Sequence, residues 1–154
     1  MYYIQGFYKI KKIKKIKDYK EHIKRFFISN SVRGTLIISP EGINGTIAGK
    51  KNNLIKCISY IKNKFKINSF DNHNLSKCNF QPFYRAKVKL KKEVVPIGFK
   101  LNVKQKLKSK YVNPKSWNKL ISKKDVMLID VRKPFEYKVG TFKGAINPQV
   151  DSFR

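Results

Sequence analysis

A hairpin signal in the stretch from Val32 to Gly49, VRGTLIISPEGINGTIAG, constrains the fold of this chain more than any other feature. Thr35–Ser39 is rich in β-branched residues, and Ile43–Ala48 alternates apolar with small polar residues, so each segment predicts a strand. Pro40 fits the first corner of a type I turn, and Gly42 fits the left-handed position that follows. The stretch therefore predicts two strands joined by a tight turn.

The predicted hairpin has one apolar and one polar face, because side chains alternate along a strand. The apolar face consists of Leu36, Ile38, Ile43 and Ile47. The polar face consists of Thr35, Ser39, Asn44 and Thr46. Glu41 and Asn44 carry groups that could serve catalysis, but the turn itself accounts for both, and we assign them to the turn.

Two helices and two further strands are predicted around the hairpin. Tyr2–Ile10 predicts a strand, and the lysine-rich run after it predicts a solvated turn. Asp18 and Glu21 have the spacing of a capping box, followed by an apolar stripe of Tyr19, Ile23, Phe26 and Phe27. A second helix starts near Asn52, with an apolar stripe of Leu54, Ile58, Ile61 and Phe65. Residues 69–81 predict a polar loop, and residues 83–95 predict the last strand.

The resulting order of strand, helix, strand, strand, helix, strand is that of the ferredoxin-like, or split βαβ, arrangement. We therefore predict an α+β fold with a βαββαβ domain over residues 1–95. Both helices would cover one face of an antiparallel sheet and leave the other face in water.

The last predicted strand has one apolar and one basic side. Its apolar side consists of Tyr84, Ala86, Val88 and Leu90. Its basic side consists of Arg85, Lys87, Lys89 and Lys91, which we predict to bind RNA from the open face of the sheet. Because lysine and threonine dominate that face in the prediction, contact with phosphates is favoured over base reading. A solvated face without a ligand is the alternative.

Charge supports a polyanionic partner without locating it. The 154-residue chain has 36 Lys and Arg against 9 Asp and Glu, a formal net charge of +27. Such a field favours RNA, DNA or an anionic membrane surface. Five of the 36 basic residues are arginines, which leaves 31 lysines. Abundant Lys, Ile and Asn are also expected from a nucleotide bias toward A and T, which needs no binding site.

The two cysteines, Cys57 and Cys78, are far apart and form no CxxC pair, so the sequence predicts neither a metal site nor a disulfide framework. No long apolar run is present, and residues 1–12 lack the apolar segment of a signal peptide. We therefore expect a cytoplasmic protein without membrane contact.

Residues 96–112 are basic and irregular and predict a linker. After it, Asn113 and Pro114 predict the start of a short helix, with Trp117 on its apolar side. Residues 126–129, VMLI, predict a buried strand that leads into IDVRKPFEYKVGTFKGAINP.

That last segment resembles the first half of a rhodanese domain, in which a strand ends in Asp-x-Arg and a Glu follows. Asp130, Arg132 and Glu136 match these positions. Asp130 at the end of a strand can accept backbone N–H bonds and Arg132 can pair with Glu136, so we expect structural roles for all three. Together with EGINGTIAG, FYRAKVKLKKEVVPIG and YVNPKSWNKLI, the series resembles the bacterial tRNA uridine(34) 5-hydroxylase family, which is rhodanese-related and UPF0176-like. The resemblance implies tRNA as partner, molecular oxygen as oxidant and no bound cofactor.

The resemblance also implies that residues 113–154 are the first part of an incomplete α/β rhodanese-like domain. The family's essential cysteine lies in a later loop, and neither cysteine of this chain matches it. We therefore assign no catalytic residue and expect the chain to be inactive alone, because activity requires the missing C-terminal half, from a neighbouring reading frame or from a partner chain. A basic RNA-binding module without catalysis and a non-functional remnant of a split gene are the alternatives.

Overall fold

The computed structural model describes residues 1–94 and 112–150, which belong to two compact units, Met1–Val95 and Pro96–Arg154. The predicted linker 96–112 lies outside the described residues except for its last position. Among the described residues, no helix is long and apolar enough to cross a membrane.

The first unit is a five-stranded sheet covered on one face by two helices. Its strands are β1 (Tyr2–Ile10), β2 (Arg33–Ser39), β3 (Gly42–Gly49), β4 (Asn72–Cys78) and β5 (Ala86–Leu90). Its helices are α1 (Lys20–Ser29) and α2 (Lys51–Phe65), with a 3-10 turn over Ile16–Tyr19. The sheet order is β4-β1-β3-β2-β5, with β5 parallel to β2 and the other pairs antiparallel. The predicted βαββαβ unit is formed, in chain order, by β1, α1, β2, β3, α2 and β4. The prediction of an α+β, ferredoxin-like fold is therefore confirmed.

The hairpin is where the sequence placed it. The predicted apolar residues Leu36, Ile38, Ile43 and Ile47 are all fully buried. They pack with Ile23 and Phe27 of α1 and with Leu54, Ile61 and Phe65 of α2. Gly42 has a φ of 152°, and a Cβ there would lie 2.1 Å from the carbonyl oxygen of Lys9, so only glycine fits.

The prediction that residues 69–81 form a loop is wrong. Residues 72–78 form β4, which pairs with β1 along its length. Its residues are mostly polar and exposed, as is common in an edge strand. Backbone pairing therefore fixes this strand, together with an ion pair of 2.6 Å between Lys9 Nζ and Asp71 Oδ1 beside it.

The strand predicted over residues 83–95 is present but shorter than predicted. It is a fifth strand, in addition to the four strands of the βαββαβ unit. It occupies Ala86–Leu90 and lies at the β2 edge, so β4 takes the position of the last strand of the βαββαβ unit. Tyr84 precedes the strand and is 98% exposed, so its predicted place on the apolar side is wrong. Val95, the predicted end, lies outside the described residues.

The predicted cap of the first helix is also wrong. Asp18 lies inside the 3-10 turn, and α1 begins at Lys20 without a side-chain cap. The turn leads directly into α1, so the backbone N–H groups of Asp18 and Lys20 donate to the carbonyls of Lys15 and Lys17. Backbone acceptors therefore replace the predicted side-chain cap.

The second unit contains two helices, α3 (Pro114–Ile121) and α4 (Pro134–Val139). Asn113 caps α3 as predicted, accepting a 3.0 Å hydrogen bond from the N–H of Lys115. Within the described residues 112–150, strand pairing is limited to a parallel bridge between Ile129 and Ile146. Since Met127 and Ile129 are exposed, the prediction of a buried strand over 126–129 is wrong for this chain.

Candidate nucleic-acid interface

A basic edge, defined as Arg85, Lys87, Lys89 and Lys91, runs along β5 at one border of the sheet. Alternation along β5 directs Val88 into the core, where it is 5% exposed, and directs the neighbouring lysines away from it. Arg85, Lys89 and Lys91 are exposed, and Lys87 is half-buried. The structure thus brings the four predicted RNA-binding residues into one row.

Backbone hydrogen bonds hold the two ends of the basic edge against β2. The carbonyl of Arg85 accepts from the N–H of Gly34 at 3.1 Å, and the N–H of Lys91 donates to the carbonyl of Ile38 at 3.0 Å. Thr35 pairs with Lys87 across the two strands, so the polar side of the hairpin lies beside the basic row. The four side chains therefore project from a backbone that the sheet fixes.

The surroundings of the basic edge favour anions. The ion pairs Lys9–Asp71, Lys20–Glu21 and Arg132–Asp130 involve none of the four residues of the row. An open cleft of about 480 Å³ at the start of β5 is lined by Gly34, Thr35, Pro82, Phe83, Tyr84, Arg85 and Lys87. An exposed aromatic ring therefore lies close to a guanidinium and an ammonium group, which suits contact with nucleic acid.

Glu41 acts in the turn of the hairpin. Its backbone N–H donates to Ser39 Oγ at 3.1 Å, and its carboxylate accepts from the N–H of Val94 at 3.3 Å. These contacts join the turn to the segment that follows β5.

The two thiols of the chain are poorly suited to nucleophilic chemistry. Cys57 is fully buried in the core, and burial raises the pKa of its thiol to about 12. The Sγ of Cys78 donates to the carbonyl of Phe80 at 2.9 Å. A reactive cysteine requires an accessible thiolate, which Cys57 lacks.

In the second unit, Asp130 organises a compact network. Arg132 Nη2 contacts Asp130 Oδ2 at 2.6 Å, and the backbone N–H of Arg132 donates to Asp130 Oδ1 at 3.1 Å. Hydrogen bonds from the Arg132 side chain, with a further one from Thr141, hold the pKa of Asp130 well below its usual value. Arg132 is therefore paired with Asp130 and not with Glu136 as predicted. Glu136 instead accepts from the backbone N–H of Lys133 at the start of α4.

Sequence reasoning missed the part that Asn147 has in this network. Its side-chain Nδ2 donates to the carbonyls of Asp130 and Arg132, at 2.7 and 2.8 Å. Its Oδ1 accepts from the N–H of Gln149 at 2.9 Å. The Asn-Pro pair at the end of the rhodanese-like segment was the available signal, because an asparagine before proline often bonds to nearby backbone.

An open cavity of about 710 Å³ lies beside the network. Trp117 and Phe142, whose ring centroids are 5.2 Å apart, line it together with Asp130 and Arg132. The indole Nε1 of Trp117 is buried without a hydrogen-bond partner among the described residues. Apolar side chains around this unit are exposed, among them Val139 at 87% and Phe135 at 63%.

The sequence has clear relatives. Residues 2–94 match the family described as the UPF0176 acylphosphatase like domain. Over all 154 residues the chain is 49% identical to the tRNA uridine(34) hydroxylase of Pelagibacter ubique (strain HTCC1062), and it spans 51% of that relative's length.

Solved acylphosphatases from Coxiella burnetii and Bacillus subtilis match with TM-scores of 0.41 and 0.42, each at 9% identity. The matches cover 56% and 57% of this chain and 90% and 98% of the two enzymes. Similarity this low adds nothing to what the sheet order establishes. The sequence match over residues 2–94, which is more than half of the chain, shows that this protein belongs to the UPF0176 family.

Proposed function

We propose that this chain is the N-terminal part of a tRNA uridine(34) 5-hydroxylase and binds the tRNA substrate. The observation that carries the proposal is 49% identity over the whole chain to a relative named for that activity. The basic edge supports it, because four cations in a fixed row suit a phosphate backbone. The protein would act in the cytoplasm on tRNA.

The hydroxylation chemistry is assigned to residues outside this chain. The relative is about twice as long, and the chain spans 51% of it. Both thiols of this chain have structural surroundings, with Cys57 in the core and Cys78 bonded to a carbonyl. The family resemblance implies molecular oxygen as oxidant without a bound cofactor. We assign no step of that reaction to a side chain of this chain.

The second unit would receive the remaining half of the enzyme. Its exposed apolar side chains and the cavity at Trp117 are the kind of surface that another part of a protein covers. The part of the relative that this chain does not span is the proposed occupant, either within one polypeptide or as a separate chain. The Asp130 network would then form part of the floor of a rhodanese-like domain.

The test is an assay for 5-hydroxyuridine at position 34 of tRNA. The purified 154-residue chain is expected to bind tRNA and to form no product. Adding the C-terminal half of the Pelagibacter relative as a second polypeptide is expected to restore product. A variant of that half lacking its rhodanese cysteine is the control.

Three outcomes would contradict the proposal. Product formed by the isolated chain, and abolished by Cys57→Ala or Cys78→Ala, would place the chemistry in this chain. Tight tRNA binding without product under any complementation would favour a binding module without catalysis. Absence of both tRNA binding and complementation would favour a non-functional remnant.

A further inference from the structure

The face of the sheet opposite the helices carries two transverse rows of side chains. Cross-strand pairing aligns one row as Tyr8, Asn44, Ile37 and Lys89. The adjacent row is Gly6, Thr46, Thr35 and Lys87. We define these two rows as the open face. Because strands lie about 4.8 Å apart, each row is about 14 Å long, from β1 across the sheet to the basic edge.

The chemistry of the open face changes along each row. An aromatic ring and an isoleucine, Tyr8 and Ile37, provide half-buried apolar surface, while Asn44 and the two threonines provide hydrogen-bonding groups. Lysines end both rows at β5, and no acidic residue belongs to either row. The sequence predicted lysine and threonine to dominate this face, and it did not predict Tyr8 and Gly6 here, because β1 had not been aligned with the hairpin. An apolar centre beside a row of cations suits a ligand with planar faces and an anionic backbone.

Gly6, at the β1 end of its row, contributes no side chain and so leaves a depression there. Its φ is not in the left-handed region, so the backbone does not require glycine there. An added Cβ would meet only Thr46 Oγ1, at 3.7 Å, which is ordinary contact. Glycine in the interior of a central strand weakens it, and often marks close approach of a ligand. Gly45 on β3, which pairs with Phe7 and faces the core, is different, because the packing requires glycine there. A Cβ at Gly45 would lie 2.9 Å from the ring of Phe7.

We propose that the open face binds an unpaired segment of RNA, with a base held over Gly6 against Tyr8 and the phosphates along the basic edge. Unpaired bases expose the planar faces that stack on aromatic rings, whereas a duplex presents mainly phosphates and 2′-hydroxyls. A duplex would therefore use only the basic edge. The proposal rests on the proposed function, in that tRNA is taken as the source of the unpaired segment.

The experiment measures binding of the full chain to an unstructured RNA oligonucleotide, to a hairpin duplex of equal length and to whole tRNA. In Gly6→Val, the branched side chain fills the depression and suits a strand. It should weaken single-strand binding at least tenfold, change duplex binding less than twofold and leave the melting temperature unchanged or higher. Tyr8→Leu should weaken single-strand binding by about five- to hundredfold, as expected for the loss of one base stack. Lys56→Gln, on the exposed side of α2 in the opposite layer, is the control.

Folded Gly6→Val and Tyr8→Leu variants that bind the single strand as the wild type does would overturn the inference. Equal or tighter wild-type binding to the duplex would do the same. If Gly6→Val unfolds, the Tyr8→Leu result alone decides. Binding to whole tRNA distinguishes failure of this inference from failure of the proposed function. If only the inference is wrong, whole tRNA binds equally to the wild type and to every variant. If the proposed function is wrong, the wild-type chain does not bind tRNA.

Discussion

Replacing all four residues of the basic edge by glutamine should remove a defined part of the salt dependence of tRNA binding. Alternate residues on a strand are about 6.7 Å apart, so the row is about 20 Å long and each cation can contact a separate phosphate. Each such contact with a single strand contributes about 0.7 to the slope of log affinity against log salt concentration. Loss of four contacts should therefore reduce the slope by about 2.8.

Fluorescence anisotropy with labelled tRNA across a salt series measures this slope directly. Four contacts correspond to about a fiftyfold change in affinity between about 50 and 200 mM salt. The matched control replaces four exposed lysines of the loop before α1 by glutamine: Lys12, Lys14, Lys15 and Lys17. Lys11 is kept, because its ammonium group donates to the carbonyl of Lys66. An equal fall in slope for both variants would refute a localised site and indicate a diffuse field.

Three further predictions concern the fold that carries the site. Gly34→Ala, whose Cβ would lie 2.2 Å from the carbonyl oxygen of Thr46 at a φ of 125°, should lower the free energy of unfolding in urea by at least about 2 kcal/mol. Burial raises the pKa of Asp71, but hydrogen bonds from Lys9 and the N–H of Ile10 lower it to below 3.8 overall. Asp71→Asn should therefore cost about 1 kcal/mol near neutral pH, and the difference should vanish as pH falls through the folded-state pKa; a pH-independent difference would contradict this. Hydrogen exchange should be slow across β1 to β3 and faster over residues 126–148, where strand pairing among the described residues is a single bridge; uniform global protection would be evidence against it.

The hairpin and the core were predictable because their signals are local. The turn at Pro40 and Gly42 fixes its own register, and burial follows from alternation. The edge strand β4 was not predictable by the same reasoning, because its polar residues carry no apolar alternation and its partner β1 is distant in sequence. The position of β5 was missed for a similar reason. Its alternation predicts a strand, but only parallel pairing with β2 determines which edge it occupies.

The candidate site shows the same division between local and distant information. Alternation alone places the four cations of the basic edge on one side of a strand, and the structure agrees. Gly6 and Tyr8 of β1 lie on the same face of the sheet as these cations. They could not be assigned to that face before β1 was aligned with β3. In the second unit, the spacing of Asp130 and Arg132 allowed a contact, but Glu136 was expected to take it. Arg132 pairs with Asp130 instead, because the Asp130 carboxylate accepts from both the backbone N–H and the guanidinium of Arg132.

Nucleotide bias explains the number of lysines in the chain but not the lack of acidic residues on the open face. Nucleotide bias toward A and T would raise lysine on every surface alike, and it would not remove Asp and Glu from one face. At least five of the 9 acidic residues make backbone or ion-pair contacts outside the open face: Glu21 in α1, Glu41 in the turn, Asp71 beside β4, and Asp130 and Glu136 in the second unit. The open face has cations at one border, hydroxyl and amide groups across the hairpin, and Tyr8 and Gly6 on β1. That arrangement is the one that the proposed binding of a single-stranded RNA segment requires.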